Sequence, residues 1–308
     1  ENSYQAALLN AENEKEQIAL QTIRDYLNLY KANKAIDLIE ENLKSARQRV
    51  KDFTSMEQNG LLARNDLLKA QLQQSNIQLS LEEAKKNKNI LSYKLATLLK
   101  LPEGTQINTT DTDLSEIPVE LQQKAVSRND LEALKYQEKA AENQVKVAES
   151  KYYPSLALVG GYTALDLHNA LTVTNAINIG VGVSYNIANI FKTKSDVKLA
   201  ESRADELKYT IDMVSDKVKV QIENAEQDYK LALKKYEVYQ QSQEQARENY
   251  RIVKDKYDNG LMDTNDLLEA DVQQLQATMD LAYAKADITQ KYYELLTARG
   301  TLTNQFNK

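Results

Sequence analysis

The sequence predicts a mainly α-helical chain of two long antiparallel helical hairpins with one β-hairpin between them. Three observations carry this: a bend motif that occurs twice, heptad-spaced apolar seams almost free of helix breakers, and one stretch whose apolar period falls to two.

The bend comes first. Asn59-Gly60-Leu61 with Asn65-Asp66-Leu67-Leu68 and Ala70 recurs 200 residues later as Asn259-Gly260-Leu261 with Asn265-Asp266-Leu267-Leu268 and Ala270, and residues 59–74 and 259–274 share ten of sixteen identities without a gap. Each copy interrupts a long helical pattern at Asn-Gly and restarts it at Asn-Asp, which reads as a helix C-cap, a turn and a new N-cap. The chain holds only eight glycines and three prolines. Long uninterrupted helices follow, because Gly and Pro are the main breakers of helix interiors.

The elements are expected in this order. Residues 1–101 form the first helical hairpin, turning at 59–64, with a first-helix seam through Ile18, Leu29, Ala32, Ile36, Ile39, Leu43, Ala46, Val50 and Phe53. That helix would run about 85 Å, and its partner would run from Asn65 to about Lys100. Residues 102–153 are a polar connector and a third helix over about 120–150, stopped ahead of Tyr152-Tyr153-Pro154. Residues 154–188 are the β-hairpin: Ser155 to about Leu165, a polar loop Asp166–Asn175, and a return strand from Ala176 in which odd positions are apolar or aromatic and even ones from 178 are Asn, Gly or Ser. Each strand has the roughly nine to eleven residues of a tilted membrane-spanning strand, and equally suits a soluble hairpin with one buried face. Residues 189–300 form the second helical hairpin, turning at 258–264, and 301–308 a tail.

In the second hairpin the first helix is expected from about Ser195 to Asp258, and its seam is Val218, Ile222, Ala225, Tyr229, Ala232, Tyr236, Tyr239, Gln243, Ala246, Tyr250, Val253 and Tyr257, in steps of four and three. The return helix, Asn265 to about Ala298, carries Leu268, Val272, Leu275, Met279, Ala282, Ala286, Tyr293 and Leu296.

Composition narrows the function. A net charge of −6 with both signs interspersed argues against a nucleic-acid surface. With no cysteine, thiol chemistry and zinc-thiolate sites are absent from these residues, and the single histidine, His168, falls in the loop between the strands as an ordinary loop residue. No phosphate loop or nucleophile motif occurs, so no catalytic, metal or cofactor site is expected, and no apolar run is long enough for a membrane-spanning helix. Lys192, Lys194 and Lys198 after the second strand suit either a solvated helix start or a basic collar at lipid headgroups. Asp266 and Glu269 stand three apart in a first turn, where acids complement the helix dipole, with Asp66 and Lys69 in the same places of the first copy. A ring of these carboxylates around a common axis would instead select cations.

The doubled helix, Gly-Leu bend, Asn-Asp-Leu-Leu-x-Ala and return helix, with a Tyr-Pro-Ser strand and a Val-Gly-Val-Ser strand between the copies, resembles the TolC-type outer-membrane efflux family. Tyr257-Asp258-Asn259-Gly260-Leu261, Asp266-Leu267-Leu268-Glu269-Ala270 and Ala298-Arg299-Gly300-Thr301-Leu302 are its most specific part. The resemblance implies a homotrimer in the bacterial outer membrane, with strands contributed to a shared transmembrane β-barrel and helices to a coiled-coil-like periplasmic α-barrel. It implies a passive export duct rather than an enzyme, a periplasmic adaptor (membrane fusion protein) docking at Gly60, Leu61, Gly260 and Leu261, and an inner-membrane pump acting through that adaptor. Asp266 and Glu269 match the acidic constriction, and Asp66 and Tyr257 match partners in its closed-state latch. Met262 stands where some members carry the basic residue of that latch. A first strand pair is expected ahead of residue 1. A coiled-coil scaffold or adaptor with a β-insert and no channel is the competing reading.

Overall fold

In the computed structural model, residues 1–110, 126–167, 171–186 and 189–306 are described, with side chains at 163–167, 171–175 and 189–191 left aside. The elements are α1 (Asn2–Gln58), α2 (Arg64–Leu98), α3 (Asn129–Ser150), β1 (Ser155–Leu167), β2 (Leu171–Ser184), α4 (Asn189–Asp258) and α5 (Thr264–Arg299), followed by a short 3-10 turn at Thr303–Gln305. They form two compact units: Glu1–Glu12 with Asn129–Lys217, and Asn13–Arg128 with Val218–Lys308.

In the first unit β1 and β2 pair antiparallel. Directly opposed residues share a face, and the register sets Leu156 against Val183, Leu158 against Val181 and Tyr162 against Ile177. One side of the hairpin is therefore continuously apolar, and the other carries Ser155 opposite Ser184, Ala157 opposite Gly182 and Gly161 opposite Asn178. The strands run further than the alternation suggests. Asp166 and Leu167 pair with Thr172 and Leu171 inside what reads as a polar loop, past an irregularity between Thr163 and Leu165. Ladder hydrogen bonds are made by the backbone, so polar side chains do not end them. His168 lies outside the described residues. Beside the hairpin, Lys151 Nζ pairs with Asp196 of α4 at 2.8 Å.

α3 begins at Asn129, later than the expected start near 120; residues 126–128 are not helical, and 111–125 lie outside the described residues. In the opposite sense α4 begins at Asn189, ahead of Ser195, since nothing in Lys192-Thr193-Lys194 breaks a helix.

In the second unit the apolar seams build the core. Every seam position from Val218 to Tyr257 is buried or half-buried, with Tyr229 completely so. The seam of α1 holds from Leu29 to Phe53, but Ile18 is exposed. Its place is taken by Leu20 and by Glu16, whose Oε1 accepts from the Thr303 backbone N–H and hydroxyl at 3.3 Å each. On α5 the inward face near the bend is Leu267, Ala270 and Asp271, whereas Val272 is exposed. Polar contacts from distant elements thus rotate both faces by one or two positions.

α1 and α5 run against one another in one antiparallel register. Arg24 Nη2 pairs with Glu294 at 2.8 Å, and seven residues on along α1 and seven back along α5, Lys31 pairs with Asp287. At the other end of α5, Gly300 (φ +70°) closes the helix, and the Ser127 N–H donates to Arg299 O at 2.9 Å while Arg128 Nη1 donates to Ala298 O at 3.0 Å. Residues 127–128 strap that helix end so tightly that a Cβ on Gly300 would lie 2.1 Å from the Ser127 carbonyl oxygen.

Candidate functional site at the paired bends

Both bends are built alike. Gly60 and Gly260 adopt φ of +71° and +73°, a left-handed conformation that glycine enters without penalty. In each, the glycine N–H returns to the carbonyl three back and the leucine N–H to the carbonyl five back: Gly60 to Glu57 and Leu61 to Met56, both at 2.9 Å; Gly260 to Tyr257 at 2.9 Å and Leu261 to Lys256 at 2.8 Å. This is the Schellman closure of a helix C-terminus. Leu61 and Leu261 project outward, each 74% exposed.

The restarts differ. Asp263 caps α5, its Oδ1 accepting from Asn265 N at 2.7 Å and Asp266 N at 3.1 Å, while Asp266 Oδ2 accepts from Asp263 N at 3.4 Å. Ala63 has no side chain to cap α2. The N-caps thus lie at 63 and 263, two residues ahead of the Asn-Asp pair.

Behind the bends four helices share one apolar cluster: Phe53 from α1, Leu67 and Ala70 from α2, Val253 from α4, Leu267 and Ala270 from α5. The Phe53 and Tyr257 rings stack at 5.8 Å. Between α1 and α4 an open groove of about 990 Å³ reaches the bends, with Phe53, Leu62, Met262 and Leu267 as its floor and Lys44, Asp52, Lys254 and Asp258 on its rims.

Of the sequence-derived residues, Asp266 is exposed and turned back on its own helix start. Glu269 is exposed and accepts from Gln273 Nε2 at 3.1 Å. Asp66 pairs with Lys69 of its own helix at 3.4 Å. The Tyr257 hydroxyl is buried and closes no hydrogen bond of normal geometry. Burial raises its pKa; the Thr264 side chain beside it favours the phenolate, and the charge of Asp66 opposes that. Asp66 and Tyr257 are thus close enough to interact electrostatically, without a hydrogen bond between them.

A buried knot that the spacing rules do not reveal lies eleven residues above the first bend. Arg49 Nη1 pairs with Asp271 at 3.0 Å, with side chains 9% and 7% exposed. Arg49 also donates to Gln73 and to the Tyr250 hydroxyl, both at 3.4 Å, so α1, α2, α4 and α5 meet on one guanidinium. Burial alone would lower the Arg49 pKa; the hydrogen bond and charge of Asp271 outweigh it and raise it. A carboxylate one residue ahead of the seam position Val272, where the first copy has the uncharged Gln71, is the signal that could have found it. Among the described residues no group of His, Asp and Glu is arranged to hold a metal, and no helix is long and apolar enough to cross a membrane.

Comparison with known proteins bears on the whole chain. The family model described as outer membrane efflux protein matches residues 121–301, more than half of the sequence. The outer membrane efflux protein BepC of Brucella suis is 23% identical over 298 residues, covering 96% of this chain; the chain spans 65% of BepC. The outer-membrane channel CmeC of Campylobacter jejuni superposes with a TM-score of 0.81 at 22% identity, over 98% of this chain and 66% of CmeC. The open-state MtrE outer-membrane channel of Neisseria gonorrhoeae gives 0.82 at 18% identity, over 98% of this chain and 70% of MtrE. At these identities the superpositions establish a shared fold, and the family match establishes kinship. The chain belongs to the outer membrane efflux protein family, the TolC-type proteins of the bacterial outer membrane, whose helical tunnels lie in the periplasm.

Proposed function

We propose that the protein walls a passive export duct: three copies place their β-hairpins in a shared outer-membrane barrel and their helices in a periplasmic α-barrel. The observation that carries this is the hairpin's apolar side. Leu156, Leu158, Tyr162, Ile177, Ile179, Val181 and Val183 all face one way and are each at least 63% exposed. In water that surface would aggregate; against lipid it is matched, while the opposite side, small or polar apart from Val159, suits a water-filled lumen. A coiled-coil scaffold without a channel gives this surface no partner.

The paired bends form the inner mouth, and Gly60-Leu61 and Gly260-Leu261, with two exposed leucines, are the docking points of a periplasmic adaptor. Through that adaptor an inner-membrane pump supplies the energy; the duct performs no chemistry. Asp266 and Glu269 of three copies face a common axis as the constriction. Their exposure in the single chain supports this, since neither carboxylate is paired with a cation. A negatively charged ring binds cations and resists close approach of its own members. With Met262 in place of a basic latch residue, Asp66 held by Lys69 and Tyr257 unbonded, closure depends on packing rather than on an ion pair at the bend.

The test is single-channel recording with the full-length protein carrying Asp266→Asn and Glu269→Gln. Relief of block by polyvalent cations and a changed conductance are expected. Unchanged block and conductance would remove the constriction from these residues and leave the duct standing.

A further inference from the structure

Positive charge gathers where the β-hairpin meets the helices. Residues 146–154 and 185–198, which flank the hairpin, carry five lysines and two acids in a chain of net charge −6. At the hairpin's open end Ser155 Oγ donates to Ser184 O at 3.1 Å. Exposed Tyr153 and Tyr185 bracket that end, just beyond which α3 stops and α4 starts. On the α3 side, Lys151 is engaged by Asp196 of α4. On the α4 side, Lys192, Lys194 and Lys198 are exposed and, among the described residues, pair with no carboxylate. Helix stability does not ask for them there. Lys192, in the first turn, opposes the helix dipole, and Lys194 and Lys198, four apart, set like charges on one face, which destabilises a helix.

We infer that Lys192, Lys194 and Lys198 hold the headgroups of anionic glycerophospholipids, of the phosphatidylglycerol kind, in the membrane leaflet on the helix side. The inference rests on the membrane placement of the hairpin proposed above. Side chains of an α-helix tilt toward its N-terminus, and the N-terminus of α4 is its hairpin end. These lysines therefore lean back toward the place where the apolar side of the hairpin stops, and their four-carbon stems carry the ammonium groups to headgroup level. That layer is about 5–7 Å deep, and Lys192 to Lys198 span about 9 Å of helix, so the charges meet phosphates rather than acyl chains. Tyr153 and Tyr185 mark the same level, as tyrosines do at membrane interfaces. The phosphates of the opposite leaflet lie about 30 Å away, at the other end of the strands, out of these lysines' reach.

The full-length protein is reconstituted into liposomes of equal parts phosphatidylglycerol and phosphatidylcholine with identical acyl chains and floated with them. It is then re-extracted in mild detergent at physiological salt, and the lipids still bound are counted by mass spectrometry. A lysine near an anionic surface contributes about fivefold, so phosphatidylglycerol should exceed phosphatidylcholine at least about tenfold. Lys194→Gln with Lys198→Gln should lower that ratio at least about fivefold, and Lys194→Arg with Lys198→Arg, which keeps both charges, should preserve it. Lys208→Gln with Lys217→Gln removes the same charge from exposed positions of α4. The nearer of these stands about 15 Å beyond Lys198, past the screening length of about 8 Å, and the ratio should not change. All three variants replace exposed side chains, so folding is retained. Equal retention of the two lipids by the parent, an undiminished ratio without Lys194 and Lys198, or an equal fall without Lys208 and Lys217 would overturn the headgroup site. A protein that fails to float with the liposomes would overturn the membrane placement itself.

Discussion

Removing Asp271 is the sharpest perturbation of the helical region. Its carboxylate is 7% exposed and its partner Arg49 9%, so Asp271→Ala leaves a buried guanidinium with only Gln73 and the Tyr250 hydroxyl, each at 3.4 Å. Those are long, neutral hydrogen bonds. An uncompensated buried charge costs about 3–5 kcal/mol, against about 0–1 kcal/mol for an exposed pair such as Lys254 with Asp258. The double variant Arg49→Met with Asp271→Leu removes both charges and keeps the volume, and should recover most of the loss, to within about 1 kcal/mol of the parent. Urea unfolding followed by far-UV circular dichroism, with the four proteins of the cycle compared at equal concentration, measures the coupling. If Asp271→Ala cost less than about 1 kcal/mol, or the double variant were as unstable as the sum of the singles, the knot would not hold the four helices together as described.

Three further outcomes follow from the geometry. Gly300→Ala should destabilise by about 3 kcal/mol, about 1 from the left-handed backbone and the rest from displacing the strap and its two hydrogen bonds, whereas Gly60→Ala and Gly260→Ala, with open space around the added methyl, should cost about 1 kcal/mol each in the same denaturation assay. Burial would raise the Glu294 pKa, but hydrogen bonds from Gln290, Lys291 and Arg24 outweigh it and hold it below its ordinary 4.5. Its contribution is therefore complete above the unfolded pKa and lost as pH falls through the lower folded one, so Glu294→Gln should flatten the stability profile below about pH 4.5, as thermal melts across that range would show. Leu61→Asp with Leu261→Asp should leave the melting temperature within about 2 °C of the parent, both side chains being exposed, yet abolish co-purification with the adaptor; undiminished capture would remove the docking assignment.

Much of the fold was legible because long helices obey local rules. The α4 seam could be read position by position from Val218 to Tyr257, since no breaker interrupts it and its spacing never leaves four and three. The bends were legible from Gly60 and Gly260, whose positive φ only glycine adopts freely. What escaped depends on distant partners. Ile18 looked like seam and is exposed, while Glu16 is buried because it caps the 3-10 turn at Thr303. Asp271 is no member of the apolar seam and is buried because Arg49 meets it from another hairpin. The strap at Ser127 and Arg128 carries no apolar pattern at all, only backbone and guanidinium hydrogen bonds. Of the candidate site, the residue types and their neighbourhood were readable from the repeat. That Asp266 completes a capping box with Asp263, and that Asp66 is occupied by Lys69, required coordinates.

The most direct test of the duct is the water accessibility of the β-hairpin in a bilayer. Single cysteines placed from 176 to 184 in the full-length protein, reconstituted in liposomes, are treated with a charged, membrane-impermeant maleimide. Labelling should alternate: Asn178, Gly182 and Ser184 positions reactive from the lumen, Ile177, Ile179, Val181 and Val183 positions shielded by lipid and opened only by detergent. Uniform labelling of both faces, with the protein shown to be assembled, would mean that the apolar side never enters the membrane and that the chain encloses no channel there.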